Sequence, residues 1–488
     1  MPRRFYRLIT GCLLLCGQFV LAQTPARPTQ AKPGQPAVQV PAAQRATPPV
    51  SATQPATAAQ VRSGASTRGP LQSGPMLGYA DLREVAIWVQ TKQAARVQVR
   101  YTEQGTNGPA LLTDAVQTRK DKAYTAHLIA DQVLPGKRYT YTVLVDGQPV
   151  ALPYPTTFQT QPLWQFRTDP PDFTVALGSC TYVNEPPYDR PGSPYGGGYE
   201  IFSSIAAQKP DLMLWTGDNT YTREVDWNSR TGVLKRYTHT RSLPDMQPLL
   251  ASTHNYAIWD DHDYGPNDSD RSYWLKPVTL EAFKLFWANP NYIFDEGCTG
   301  TFIWGDCQFF LLDDRTFRAP DEQPDGPEKA YFGEKQLNWL LDALRYSKAT
   351  FKFIVTGGQV INPTKLFENY AIYPTERERL LSAIGQANVP GVLFLTGDRH
   401  HSIMHRLDRP GTYPLYDVTI SPLTSGPARP ADAELTQPTV VAGTLITERN
   451  FATLAVSGPQ KDRKLTIRTF NAKGVAQWTR TLRAEELR

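Results

Sequence analysis

Between Gly74 and Thr168 the chain alternates. The runs "EVAIWVQT", "ARVQVRYTE", "AYTAHLIA" and "KRYTYTVLVDGQPV" set apolar residues at alternate positions, with Gly, Pro, Asp or Asn between the runs. A period of two predicts strands with one buried face, and Asp146-Gly147 predicts a hairpin turn. From Thr168 onward the rhythm changes to short, nearly continuous apolar runs: "FTVALGS", "DLMLWTGD", "NYAIWDDHD", "CQFFLLDDR", "FKFIVTGGQ" and "GVLFLTGDRHH". Such runs predict strands buried on both faces. Helical stretches lie between several of them, among them "YEIFSSIAAQ", "TLEAFKLFWANP", "GEKQLNWLLDALRYS" and "TERERLLSAIGQA". The pattern predicts an α/β core of packed sheets covered by helices, preceded by an all-β segment.

The ends of the chain follow neither rhythm. "MPRRFYRLITGCLLLCGQFVLAQ" sets Arg3, Arg4 and Arg7 before an apolar stretch closed by Val20-Leu21-Ala22, which predicts an export signal cut after Ala22. Residues 23–74 are rich in Pro, Ala, Gln and Thr and lack aromatic residues, a composition that predicts a disordered spacer. The expected organisation is therefore a signal over 1–22, a linker over 23–74, an all-β domain over 75–167 and the α/β domain over 168–488. The all-β unit resembles an immunoglobulin or fibronectin-III module and is expected to support rather than catalyse. No run approaches the roughly 18 apolar residues of a spanning helix, so an exported soluble protein, periplasmic or extracellular and monomeric, is expected. A net charge of +5 over 488 residues is small and gives no case for nucleic-acid binding, which would call for a clustered basic face.

Loss of the signal leaves Cys180, Cys298 and Cys307. Cys298 and Cys307 flank "TGTFIWGD" and could either pair or pack as small apolar groups, which leaves Cys180 alone in an oxidising compartment. It closes "DFTVALGSC", at a predicted strand end. Other strand ends are equally polar: Gly217-Asp218-Asn219-Thr220-Tyr221, Asp260-Asp261-His262-Asp263, Gly358-Gln359 and Gly397-Asp398-Arg399-His400-His401. In α/β sheets ligands sit beyond the carboxyl ends of strands, and donors gathered there could supply a two-metal site.

As an ordered set, "GSC", "GDNTY", "WDDHD", "LDDR", "TGGQ" and "GDRHH" resemble the PhoD-like alkaline phosphatases, within the calcineurin-like and purple-acid-phosphatase-like metallophosphoesterases. The resemblance runs from about Gly74 to the C-terminus. It implies a four-layer sandwich of two β-sheets flanked by helices, behind an immunoglobulin-like domain, and a site joining Fe(III) to Ca(II). Carried over by position, it puts Cys180 where most metallophosphoesterases have an Asp-x-His ligand. It makes Asp218 the bridging carboxylate, Tyr221 a phenolate ligand and His400 the last iron ligand. Asp261, Gln359 and Asp398 would hold calcium. The donor chemistry agrees: thiolate, phenolate, carboxylate and imidazole suit Fe(III), and an all-oxygen set suits a hard cation.

Such a centre would hydrolyse phosphate esters through a bridging hydroxide. His262 would stabilise phosphoryl charge or protonate the leaving group, and Arg399 could contact phosphate. The expected activity is an exported phosphomonoesterase acting on a small-molecule or polymeric ester. A phosphodiesterase acting on lipid, teichoic-acid-like or nucleotide diesters is the nearest alternative, and a non-catalytic surface-binding protein the alternative from another class. Asp260, Asp263 and Asn267 could bind a further calcium or orient their loop. Asp314-Arg315 reads equally as an internal ion pair and is left outside the site, and His401, His254 and His239 read as structural.

Overall fold

The computed structural model describes residues 69–488; the expected export signal and the expected linker up to residue 68 lie outside them. The first strand, β1 (Leu71–Ala80), starts inside the stretch expected as linker. Gly74 and Pro75 break the alternation there, so only the pairing with β2 (Val85–Thr91), which begins at Leu71 opposite Thr91, marks it as strand.

The all-β segment continues with β3 (Arg96–Glu103), β4 (Leu111–Leu112), β5 (Val116–Gln117), β6 (Thr125–Ala130), β7 (Arg138–Val145), β8 (Gln148–Pro149) and β9 (Thr157–Gln159). Then come β10 (Phe173–Gly178), β11 (Leu212–Thr216), β12 (His254–Ile258), β13 (Gly300–Trp304), β14 (Cys307–Leu311), β15 (Phe351–Val355) and β16 (Val392–Thr396). The remaining strands are β17 (Ile403–Leu407), β18 (Leu415–Thr419), β19 (Asn450–Ser457), β20 (Lys464–Asn471) and β21 (Ala476–Arg483). The helices are α1 (Ile201–Ala207), α2 (Arg230–Arg241), α3 (Gln247–Ser252), α4 (Asp261–Tyr264), α5 (Lys276–Phe286), α6 (Glu334–Tyr346), α7 (Pro374–Gln386) and α8 (Asp432–Leu435).

A nine-stranded sheet runs β21-β20-β19-β10-β11-β12-β1-β2-β6, and a six-stranded sheet runs β13-β14-β15-β16-β18-β17. Strands β10, β11 and β12 are parallel, as are β14, β15 and β16. Successive side chains on a strand point to opposite faces, and here both faces are apolar. Val175, Leu177, Leu212 and Leu214 pack in the cluster that holds Phe309, Phe353 and Leu393 of the other sheet. Ala176, Met213 and Trp215 pack instead with Ile201, Val233, Leu249 and Phe283 of α1, α2, α3 and α5. Leu337 and Leu340 of α6 and Leu380 of α7 cover the six-stranded sheet. The order is therefore helices, sheet, sheet, helices. An aromatic column joins the sheets, with Tyr256 stacked on Phe302 at 3.7 Å and Phe302 on Phe309 at 4.6 Å.

Where the sequence suggests a separate sandwich over 75–167, the strands divide between two sheets. β1, β2 and β6 extend the nine-stranded sheet, while β3, β7 and their short partners form a further six-stranded sheet. Val97, Tyr101 and Val143 of that third sheet lie in the same apolar cluster as the core residues Leu177 and Phe309. Cys298 and Cys307 are both free and buried, Cys298 among the helices and Cys307 between the sheets. Among the described residues no helix is long and apolar enough to cross a membrane.

Candidate metal centre

The parallel strands of each sheet bring their carboxyl ends to a common edge. β10 delivers Cys180, β11 Asp218, β12 Asp260 to Asp263, β15 Gln359 and β16 Asp398 to His400. Four of these residues leave their strands in the left-handed region: Cys180 at φ 61°, Asp218 at 53°, Asp398 at 61° and His400 at 55°. Non-glycine residues are rare there, and such strain gathers at functional sites. The turns are also tight. A Cβ on Gly357 would lie 2.1 Å from Asp260 Oδ2, and one on Gly217, itself at φ 93°, would lie 2.7 Å from Asp260 Cβ.

One cluster joins Cys180, Asp218 and His400, whose ligand atoms lie within 4.8 Å of one another. Cys180 Sγ stands 3.6 Å from Asp218 Oδ2 and receives the Ser421 hydroxyl at 3.1 Å. The Tyr221 hydroxyl donates to Asp218 Oδ2 at 3.0 Å and lies 3.0 Å from His400 Nε2. His400 Nδ1 is 2.8 Å from the Gly426 carbonyl, an acceptor that fixes this nitrogen as N–H and leaves Nε2 with its lone pair toward Tyr221 and Asp218. Tyr195, from the loop after Cys180, also reaches Nδ1 at 2.9 Å. All four expected iron ligands are thus in one place.

The second set is only partly as expected. Asp261 clusters with Asp218 and His262, with Asp260 and Asp398, and with Asp268 and Glu368. Gln359 does not turn its amide oxygen to this group. That oxygen accepts from Arg399 at 2.8 Å and from Asn362 at 2.8 Å. Arg399, expected at the phosphate, has its guanidinium bound inside the protein: NH1 donates to Gln359, Asn369 and Glu434, each at 2.8 Å, and NH2 to Glu434 at 3.1 Å. With a side chain only 4% exposed, it is a clamp between strand-end loops. Both corrections share a cause: a buried guanidinium takes every acceptor in reach before it is left unpaired.

Asp268 and Glu368 escaped the sequence reading. Asp268 follows Asp261 in the same loop, a signal that was available, whereas Glu368 sits in "LFENY" after no strand and with no motif. Asp260 and Asp263 orient the loop. Asp260 pairs with fully buried Arg315 and caps α4, while Asp263 Oδ2 accepts from the Asn219 amide at 2.9 Å. Arg315 also binds Glu368 at 2.8 Å, and Asp314 Oδ2 accepts from the Gly357 amide at 2.7 Å, so "LDDR" builds the wall behind the site.

The electrostatics call for cations. Burial, then the neighbouring carboxylates, push Asp218 well above the usual carboxylate range, and burial with Glu368 and Asp261 raises Asp398 to about 7. Burial and the charges of Asp218 and Asp398 likewise raise the Cys180 thiol, and burial with Asp218 raises Tyr221. Asp261 runs the other way: although burial opposes it, His262, Arg315 and the Asp268 amide hold it below the usual range. Acidic side chains this deep and this close stay ionised together only around positive charge, so the donors present fit bound metal. His262 stacks on Tyr221 at 4.1 Å, and burial lowers its pKa against the opposing charge of Asp261.

Two sheets between helix layers, with side chains that could hold metal gathered at their carboxyl edges, make a metallophosphoesterase-like fold. Comparison with known proteins narrows the class. Residues 292–474 match the family model of the PhoD-like phosphatases, and residues 68–163 match a domain of unknown function (DUF7800). Alkaline phosphatase D of Bacillus subtilis (strain 168) is 23% identical over 336 residues, 57% of this chain and 54% of that protein. The chain thus spans about half the length of this curated relative. A solved structure of PhoD superposes with a TM-score of 0.69 at 19% identity, covering 86% of this chain and 92% of that one. Purple acid phosphatase PPD1 from yellow lupin (Lupinus luteus) seeds gives 0.62 at 12% identity, covering 84% and 74%. Residues 292–474 of the chain are thus similar to the PhoD-like phosphatases, and the fold around them is similar to that of PhoD.

Proposed function

We propose that the protein is an exported phosphoric-ester hydrolase of the alkaline phosphatase D type, with Fe(III) and Ca(II) as its metals. One observation carries the reading: a thiol, a phenol, an imidazole and a carboxylate meet at Cys180, Tyr221, His400 and Asp218, beside Asp261, which clusters on one side with Asp218 and on the others with Asp398 and with Asp268 and Glu368. The first donor set suits Fe(III) and the second a hard cation such as calcium, with Asp218 shared. Asp268 and Glu368 stand on the calcium side in place of Gln359. When bound, the metals supply Lewis acidity to the phosphoryl group and lower the pKa of the attacking water.

The chain's own residues do the rest. His262 has its amide donating to Asp218 Oδ1 at 3.2 Å and Asp261 Oδ1 at 2.9 Å, which holds the residue beside these carboxylates. From there a ring N–H donates to a phosphoryl oxygen as charge develops. Ser421 holds the thiol, Gly426 holds His400, and Arg399 locks the β15 and β16 end loops together. Export rests on the basic and apolar N-terminal pattern, which also gives Cys180 its chemical logic, since a free thiol in an oxidising compartment is a liability unless bound.

Purified protein is expected to contain iron and calcium, to absorb visible light by thiolate and phenolate charge transfer, and to release nitrophenol from a nitrophenyl phosphate faster than from the bis-ester. Cys180→Ser should cut iron content at least tenfold and bleach the band. Full iron in that variant, or zinc in the native protein, would sink the assignment, and a faster bis-ester would make the protein a diesterase.

A further inference from the structure

The loop 362–369, "NPTKLFEN", carries two consecutive residues in the left-handed region, Phe367 at φ 48° and Glu368 at 60°. Neither is glycine, and a bulky side chain is held there only when its surroundings over-determine it. The anchors are visible. The Glu368 carboxylate accepts from Arg315 at 2.8 and 3.2 Å and lies 3.0 Å from Arg318. Asn369 accepts from Arg399 at 2.8 Å and donates to the Thr364 carbonyl at 3.0 Å.

What this scaffold presents is apolar and uncovered. Phe367 is 62% exposed and Leu366 38%. The ring lies 5.0 Å from the Arg399 guanidinium carbon, next in sequence to Asp398, and the following residue, Glu368, clusters with Asp261 and Asp268. A strained phenyl that is mostly solvent-facing and touches its own chain chiefly at Arg399 buries little apolar surface, whereas beside the Asp261, Asp268 and Glu368 cluster it offers a surface to whatever enters.

We infer that Phe367, with Leu366, is a specificity-determining ledge that takes the apolar leaving group of the phosphoester, aryl or alkyl. The inference rests on the hydrolase reading above and adds to it a substrate class. It predicts that esters with an apolar leaving group are preferred over hydrophilic ones such as glycerol phosphate. Removing the ring re-exposes part of that group to water, an effect on the order of tenfold in binding.

The test compares kcat and KM for nitrophenyl phosphate, hexyl phosphate and glycerol phosphate in the native protein, Phe367→Ala and Phe367→Leu. Phe367→Ala should lower the preference for the apolar esters over glycerol phosphate about tenfold, through KM, and Phe367→Leu should restore the hexyl preference. Loss on the nitrophenyl ester alone assigns an aryl group, and loss on both an apolar group of either kind. Equal loss on all three esters, the signature of a structural role, overturns the inference. Phe367→Gly, which accepts the backbone angle without strain, must reproduce the alanine result. Calorimetric binding of phenylphosphonate against methylphosphonate separates the two readings. If no ester is hydrolysed but Phe367→Ala weakens phenylphosphonate alone, the hydrolase reading fails and the ledge stands. If both phosphonates are unaffected, the ledge fails.

Discussion

At the scale of single residues, the contrast between Cys180 and Arg399 is instructive. Both stand just beyond strand ends, both are buried, and both look chemical in the sequence. Cys180 meets Asp218 and His400, whereas Arg399 is turned inward to Glu434, Gln359 and Asn369. Removing one partner of a buried, multiply bonded ion pair costs about 3–5 kcal/mol. Arg399→Ala is therefore expected to lower the unfolding free energy by that order in urea titrations. A variant that unfolds normally yet has lost turnover would return Arg399 to the phosphate. The direction of a side chain separates these cases, and a motif such as "GDRHH" carries no such information. The same limit applies to Gln359, whose residue type suits calcium but whose oxygen is taken by Arg399 and Asn362.

At the scale of elements, the turns after the strands matter more than the strands. β10, β11, β12, β15 and β16 were legible because buried parallel strands need continuous apolar runs, and these were present. Turn conformation was legible only in part. Glycine at 217 and 357 signals close approach, but the left-handed Cys180, Asp218, Asp398 and His400 are residues a local rule would not assign there. Tertiary contacts impose those angles. Gly357→Ala would drive a methyl into the Asp260 carboxylate, so overpacking of about 1–3 kcal/mol is expected, read as a lower thermal midpoint. Because Asp260 carries Arg315 and the α4 cap, the same change should reduce metal content; unchanged stability and metal would show that the loop yields freely.

At the scale of the molecule, the N-terminal strands and the nine-stranded sheet are one structure. Trp88 of β2 donates to the Leu285 carbonyl of α5, and the Tyr141 hydroxyl to the Ala251 carbonyl of α3 at 2.7 Å. A chain starting at residue 168 would lose β1, β2 and β6 and expose the β12 edge. It is expected to aggregate or lose cooperative thermal unfolding, while two separate transitions in the longer chain would argue for an independent module. A second global property is acid sensitivity. His254 and His405 are buried, and burial lowers each from 6.5 to about 4. The folded state binds their protons less well than the unfolded state does. Their contribution is therefore full above pH 6.5 and is lost as pH falls toward 4, on the order of 3 kcal/mol per histidine. Urea midpoints at fixed metal content should fall over that window, and His254→Gln should flatten the fall. A pH-independent midpoint would show that these imidazoles take up protons as readily folded as unfolded.

Residue order alone determined the α/β class, the succession of buried strands and which strand ends carry donors, because hydrophobic periodicity and residue type are local properties. Only the tertiary structure decided that three N-terminal strands join the main sheet, that Asp268 and Glu368 come to Asp261, and that Arg399 and Gln359 bind each other. Those outcomes depend on the register between distant strands and on competition among buried polar groups for partners, neither of which any short window of sequence contains.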